Sequence, residues 1–74
     1  MIDREWLKTL RKNAKLSQKQ VAFEVGISPS AYAMYEQGRR TPDVATAAKI
    51  GLVLKFDWQQ FFETQLHEMR HKIS

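Results

Sequence analysis

Residues 16–38, LSQKQVAFEVGISPSAYAMYEQG, leave this chain few choices of fold. Ser17 offers a hydroxyl to the orphan amides of a helix beginning at Gln18, and Gly26 supplies the left-handed conformation that ends it at Val25. Ser28 and Pro29 then start a second helix: the serine caps free N–H groups, and proline at the first helical position loses nothing by lacking its own. Gly38 stops that helix at Gln37. Small Ala22 stands where the two helices would cross, while Val21, Val25, Ile27, Tyr32 and Tyr35 fall on inward positions. This register describes two short helices locked at a sharp angle, an arrangement that presents the second of them to a groove.

The flanks also read as helix. Asp3 caps a first helix over 3–13, with Glu5 in its first turn, Lys12 and Lys15 near its end, Leu7 and Leu10 facing inward and Trp6 covering an edge. The run Arg39-Arg40-Thr41-Pro42 is too polar and interrupted for a helix, and Asp43 opens a fourth one over 43–55. Val44, Ala47, Ala48, Ile50, Gly51 and Leu54 form its buried side. Glycine costs a helix interior about 1 kcal/mol against alanine, so Gly51 marks a place where another element comes close. Asp57 opens a fifth helix, with Trp58, Phe61 and Phe62 inside two turns. Phe62, Leu66, Met69 and Ile73 then recur at helical spacing, a narrow stripe that suits pairing with another helix and carries the fifth helix to residue 72. A frayed tail or a short added strand is the alternative for this stretch. The expectation is an all-α domain of five helices, 3–13, 18–25, 29–37, 43–55 and 57–72, with residues 1–62 as the working domain and 63–74 as a C-terminal extension for dimerisation or a tail.

At 74 residues there is room for one domain, and without cysteine there is neither a disulfide framework nor a Cys-based zinc site. Stability must come from helix packing or from a second chain. Charges break up the N-terminus, leaving no apolar run long enough for a signal peptide or membrane span, so a soluble cytoplasmic protein is expected. The net charge of +4 is unevenly placed: residues 1–20 hold six Lys or Arg against two acids, and the remainder balances. Such an excess by itself describes a solvated helix face better than a nucleic-acid site; beside a helix-turn-helix unit it points to duplex DNA. His67 and His71, with Glu63 and Glu68 near them, stand four apart, but two imidazoles do not make a structural metal site, and none is expected. With no nucleophile motif, no glycine-rich phosphate loop and no pocket-forming carboxylate pair, the chain is read as no enzyme, with no cofactor and no small-molecule substrate.

From Leu7 to Phe62 the ordered set Leu10-Arg11, Leu16-Ser17-Gln18, Ala22, Val25-Gly26-Ile27-Ser28, Glu36, Gly38, Pro42, Ile50, Leu54 and Phe62 resembles the lambda-repressor-like, Cro-type regulators of bacteria and phages, the XRE family. The resemblance implies that the third helix enters the major groove with Pro29, Ser30, Ala33 and Met34 toward the bases. It assigns the DNA backbone to Arg11, Ser17, Gln18, Gln37, Arg39 and Arg40, with free amides near Ser17 and Gln18 meeting a phosphate and an Arg11–Glu36 ion pair aiming the arginine. It implies a homodimeric repressor on a palindromic operator, acting by occupancy, and Trp58, Phe61, Phe62, Leu66 and Met69 are the residues assigned to dimerisation. An antitoxin-like module that binds a toxin through residues 63–74 and represses its own operon is the alternative.

The sequence departs from the family pattern in three places. The reading face lacks bidentate hydrogen-bonding groups, which points to thymine methyl contacts, a T-rich half-site and DNA shape in place of direct guanine readout. Tyr32 and Tyr35 replace aliphatic residues and are expected to pack in the core with their hydroxyls at its rim. Phe23 is an aromatic on an outward position, either half-covered by the first helix or part of a partner surface.

Overall fold

A computed structural model describes residues 3–63. Four α-helices, α1 (Glu5–Asn13), α2 (Gln18–Val25), α3 (Pro29–Glu36) and α4 (Val44–Leu54), are followed by a 3-10 helix over Trp58–Phe62, and the described residues contain no strand. The cap chemistry accounts for the two central helices. The Ser17 hydroxyl accepts from the Gln20 amide at 3.0 Å while the Gln20 side chain accepts from the Ser17 amide at 2.7 Å, a reciprocal capping box, and Gly26 closes α2 at φ +86°. The Ser28 hydroxyl accepts from the Ala31 amide with Pro29 at the first helical position, and the Asp43 carboxylate accepts from the Thr46 amide at the head of α4. By contrast, α1 starts at Glu5 instead of Asp3; Arg4 is its N-cap residue and no side chain caps it.

The core is Leu7, Val21, Ala22, Val25, Tyr32, Tyr35, Ala47, Ile50, Leu54 and Phe61, with α2 packed on α3 and α4, and α4 on the 3-10 helix. Trp6 stands edge-on to Phe56 and to Phe61, with ring centroids 5.3 Å apart in each pair, which joins α1 to the last described segment. Gly51 carries the expected close approach: a Cβ there would lie 2.8 Å from the Phe56 carbonyl oxygen and 3.3 Å from the Trp58 Cβ.

Several expectations are corrected. The fifth helix is not α-helical over Trp58–Phe62, where a threefold turn suits Trp58 and Phe61 by stacking them on the side that meets α4. Its continuation beyond Glu63, with Leu66, Met69 and the His67/His71 pair, lies outside the described residues. Phe61 is a core residue, 5% exposed, so its own chain covers the ring expected to serve dimerisation; Trp58 and Phe62 are half-buried. Val44 is exposed, because capping by Asp43 turns the first residue of α4 outward, and Leu10 is half-buried. Phe23 is 83% exposed, so α1 does not cover it. No helix among the described residues is long and apolar enough to cross a membrane.

Candidate nucleic-acid interface

α3 divides cleanly into two faces. Tyr32, Tyr35 and Glu36 point into the protein, and the opposite side carries Pro29, Ser30, Ala33 and Met34. Pro29 and Ser30 are exposed, Met34 is 37% exposed and Ala33 is half-covered. The helix therefore presents a low, mostly apolar ridge on which the Ser30 hydroxyl is the polar side-chain group. Gln37, Arg39 and Arg40 continue from its end, all exposed, and no carboxylate among the described residues pairs with either arginine.

Beneath the ridge lies a buried polar cluster that joins three helices. Glu36, 4% exposed, accepts from Arg11 Nε at 2.6 Å and from Gln18 Nε2 at 3.0 Å, and Arg11 Nη1 donates to the Leu16 carbonyl at 2.8 Å. Burial pushes the Glu36 carboxyl up, but the hydrogen bonds from Arg11 and Gln18 outweigh it and hold the group below its ordinary range. The Glu36 hydrogen bond likewise raises Arg11 against the opposing effect of burial. Tyr32 sits in the same interior beside Glu36 and Arg11, with its hydroxyl buried and no well-formed hydrogen bond to it among the described residues, so the rim placement expected for this tyrosine does not hold. Burial drives its ionisation far above the usual phenol range.

This cluster ties Arg11 and Gln18 into the fold beneath α3. The Arg11–Glu36 pair is present; Arg11 is 9% exposed and donates to Glu36 and to the Leu16 carbonyl, so its guanidinium braces α1 against α3. Gln18 donates through Nε2 to Glu36 and thereby ties α2 to α3. At the head of α2 the Ser17 amide is committed to Gln20, and the backbone N–H groups of Gln18 and Lys19 have no partner among the described residues. They form an anion-facing terminus beside the exposed Lys19 side chain. Lys19 is not among the residues singled out by the family pattern; a lysine at the second position of a capped helix, next to unpaired amides, is the signal that finds it.

Comparison with known proteins bears on this geometry. A helix-turn-helix family model, HTH_3, matches residues 7–61. Over 68 residues the chain is 41% identical to a Bacillus subtilis (strain 168) protein described as the uncharacterized HTH-type transcriptional regulator YqaF, covering 92% of this chain and 90% of that protein. A second protein of the same organism, the uncharacterized HTH-type transcriptional regulator YqaE, is 44% identical over 50 residues, covering 68% of this chain and 43% of YqaE. No solved structure gives a comparable match.

Proposed function

We propose, since the chain belongs to the XRE-type helix-turn-helix family of DNA-binding transcriptional regulators, that it acts as a homodimeric repressor on a palindromic duplex operator. The observation that carries this reading is the outward face of α3, which stands clear of the core, is braced from below by Arg11, Glu36 and Gln18, and is flanked by two sets of positive groups. One set is Arg39 and Arg40; the other is the open amides of Gln18 and Lys19 with the Lys19 ammonium. Placed in a major groove, α3 sets Ala33 and Met34 against thymine methyl groups and Ser30 against a base edge, while the flanking positive groups meet phosphates on either side.

Backbone contacts then supply most of the affinity and α3 supplies the choice of site. Two copies related by a twofold axis read half-sites about one helical turn apart, and a bound dimer hides promoter sequence from polymerase. Trp58 and Phe62 retain surface for such an association, to which Leu66 and Met69 belong on the strength of the sequence stripe.

Salt titration of two variants tests the assignment. Arg39→Ala is expected to weaken binding to all duplexes alike and to flatten the dependence of log affinity on log salt by about 0.9 for each phosphate that the variant no longer neutralises. Met34→Ala is expected to change sequence preference and leave that slope alone. An unchanged selected site with Met34→Ala, or an unchanged slope with Arg39→Ala, contradicts the assigned face.

A further inference from the structure

Arg4 lies outside every residue set the family pattern marks, yet it makes the most elaborate long-range contacts of any side chain described. Its Nη1 donates to the Tyr35 carbonyl at 2.6 Å and to the Arg40 carbonyl at 2.9 Å, and its Nη2 donates to the Thr41 hydroxyl at 2.9 Å. Its backbone N–H donates to the Glu36 carbonyl at 2.8 Å, and the guanidinium carbon lies 5.3 Å from the centre of the Phe61 ring. A helix ends with four carbonyls that lack partners inside it. In α3 the Ala33 carbonyl accepts from Gln37, Met34 from Arg39, Tyr35 from Gly38 and from the Arg4 side chain, and Glu36 from the Arg4 backbone. The last two positions of α3 are therefore closed by the residue preceding α1, with a cation at the negative end of the helix.

The same guanidinium then reaches past the helix end. Gly38 turns the chain through φ +74°, and residues 39–41 leave α3 as an irregular segment whose carbonyl at Arg40 and hydroxyl at Thr41 are both held by Arg4. Arg39 and Arg40 are the exposed cations of this segment. From this convergence we propose that Arg4 is a positioning residue for DNA binding: it fixes the path of residues 38–41 against the end of α3 and so sets where Arg39 and Arg40 meet the phosphates. Its own donors are engaged by the Tyr35 and Arg40 carbonyls and the Thr41 hydroxyl, and it makes no phosphate contact. The inference rests on the DNA-binding reading above.

Lysine cannot reproduce the planar fork that spans three acceptors, so Arg4→Lys keeps the charge and removes the geometry. Equilibrium binding of the full chain to the duplex that it selects, over a salt series and well below the melting temperature of each variant, is the test. Arg4→Lys is expected to lower affinity about tenfold and to flatten the salt slope as Arg39→Ala does, because Arg39 and Arg40 are displaced from the phosphates they neutralise. In an Arg39→Ala/Arg40→Ala background the same substitution is expected to cost less than about twofold, because the groups it positions are gone. Thr41→Val, at an exposed position that does not touch the core, is expected to lower affinity in the same direction, and likewise to have little effect in the double-alanine background. This variant keeps the test open should Arg4→Lys fail to fold. A merely structural role for Arg4 moves the melting temperature and gives the same fold-loss in both backgrounds, and a direct phosphate contact lowers the slope in Arg4→Gln while sparing Arg4→Lys; either result overturns the proposal. Should the unsubstituted chain bind no duplex, or should Arg39→Ala leave binding intact, the DNA reading itself fails and this inference falls with it. Retained affinity in both Arg4→Lys and Thr41→Val beside a weakened Arg39→Ala defeats the inference alone.

Discussion

At the level of single residues, the decisive group is Glu36. A carboxylate of this burial is tolerable because Arg11 and Gln18 both donate to it, and the cost of removing one member of such a cluster exceeds what the pair contributes over an apolar replacement. Its carboxyl is held below the ordinary carboxylate value of 4.5 in the folded chain. A depressed folded value means that the unfolded chain takes up the proton first as pH falls. The stabilisation is therefore complete above the ordinary value and disappears as pH drops through the lower, folded one. Glu36→Gln is expected to lose about 3 kcal/mol at neutral pH by urea unfolding, and the gap from the unsubstituted chain is expected to close as pH falls below about 4. A gap that stays constant across that range shows that the charge on Glu36 has no part in stability. That Arg11 and Glu36 pair is legible from the family resemblance alone. The depth of the pair is not, because burial at position 11 depends on how closely the Tyr32 ring, Gln18 and the Leu16 carbonyl gather around it.

The helices differ in how far sequence alone defines them. α2 and α3 begin where their serines and proline require, and α2 ends at the glycine that can adopt a left-handed turn, since each boundary is set by chemistry within a few residues. α1 begins later than its acidic residue suggests because Arg4 is drawn away to the end of α3, a tertiary contact that no local pattern reveals. The aromatic residues after Asp57 fit helical spacing and threefold spacing alike over so short a span, and packing on α4 selects the latter. The reading of Gly51 succeeds because its cost in a helix interior has no local compensation. Gly51→Ala is expected to destabilise the fold by about 1–2 kcal/mol in urea unfolding, as the methyl group meets the Phe56 carbonyl and outweighs the gain in helix propensity. A variant as stable as the parent means that the segment Phe56–Trp58 yields freely and that the close approach does not constrain α4.

On the scale of the whole molecule, function depends on how the pieces are turned toward a common surface. The basic excess of residues 1–20 suggests a positively charged first helix, yet Arg4 and Arg11 both hydrogen-bond to other parts of the chain, so part of that charge also serves assembly. Lys19, Arg39 and Arg40 are exposed, and α3 presents an outward ridge that is poor in hydrogen-bonding groups. Such a surface favours a protein that takes its affinity from phosphates and its preference from methyl groups and groove shape. Selection from a pool of randomised duplexes at near-physiological salt, with sequencing of the bound fraction, tests this most directly. The expected result is a palindrome with T-rich half-sites about one helical turn apart. Enrichment of half-sites dominated by G·C pairs, or retention of the pool without any enrichment, contradicts the assignment of α3 as the reading helix.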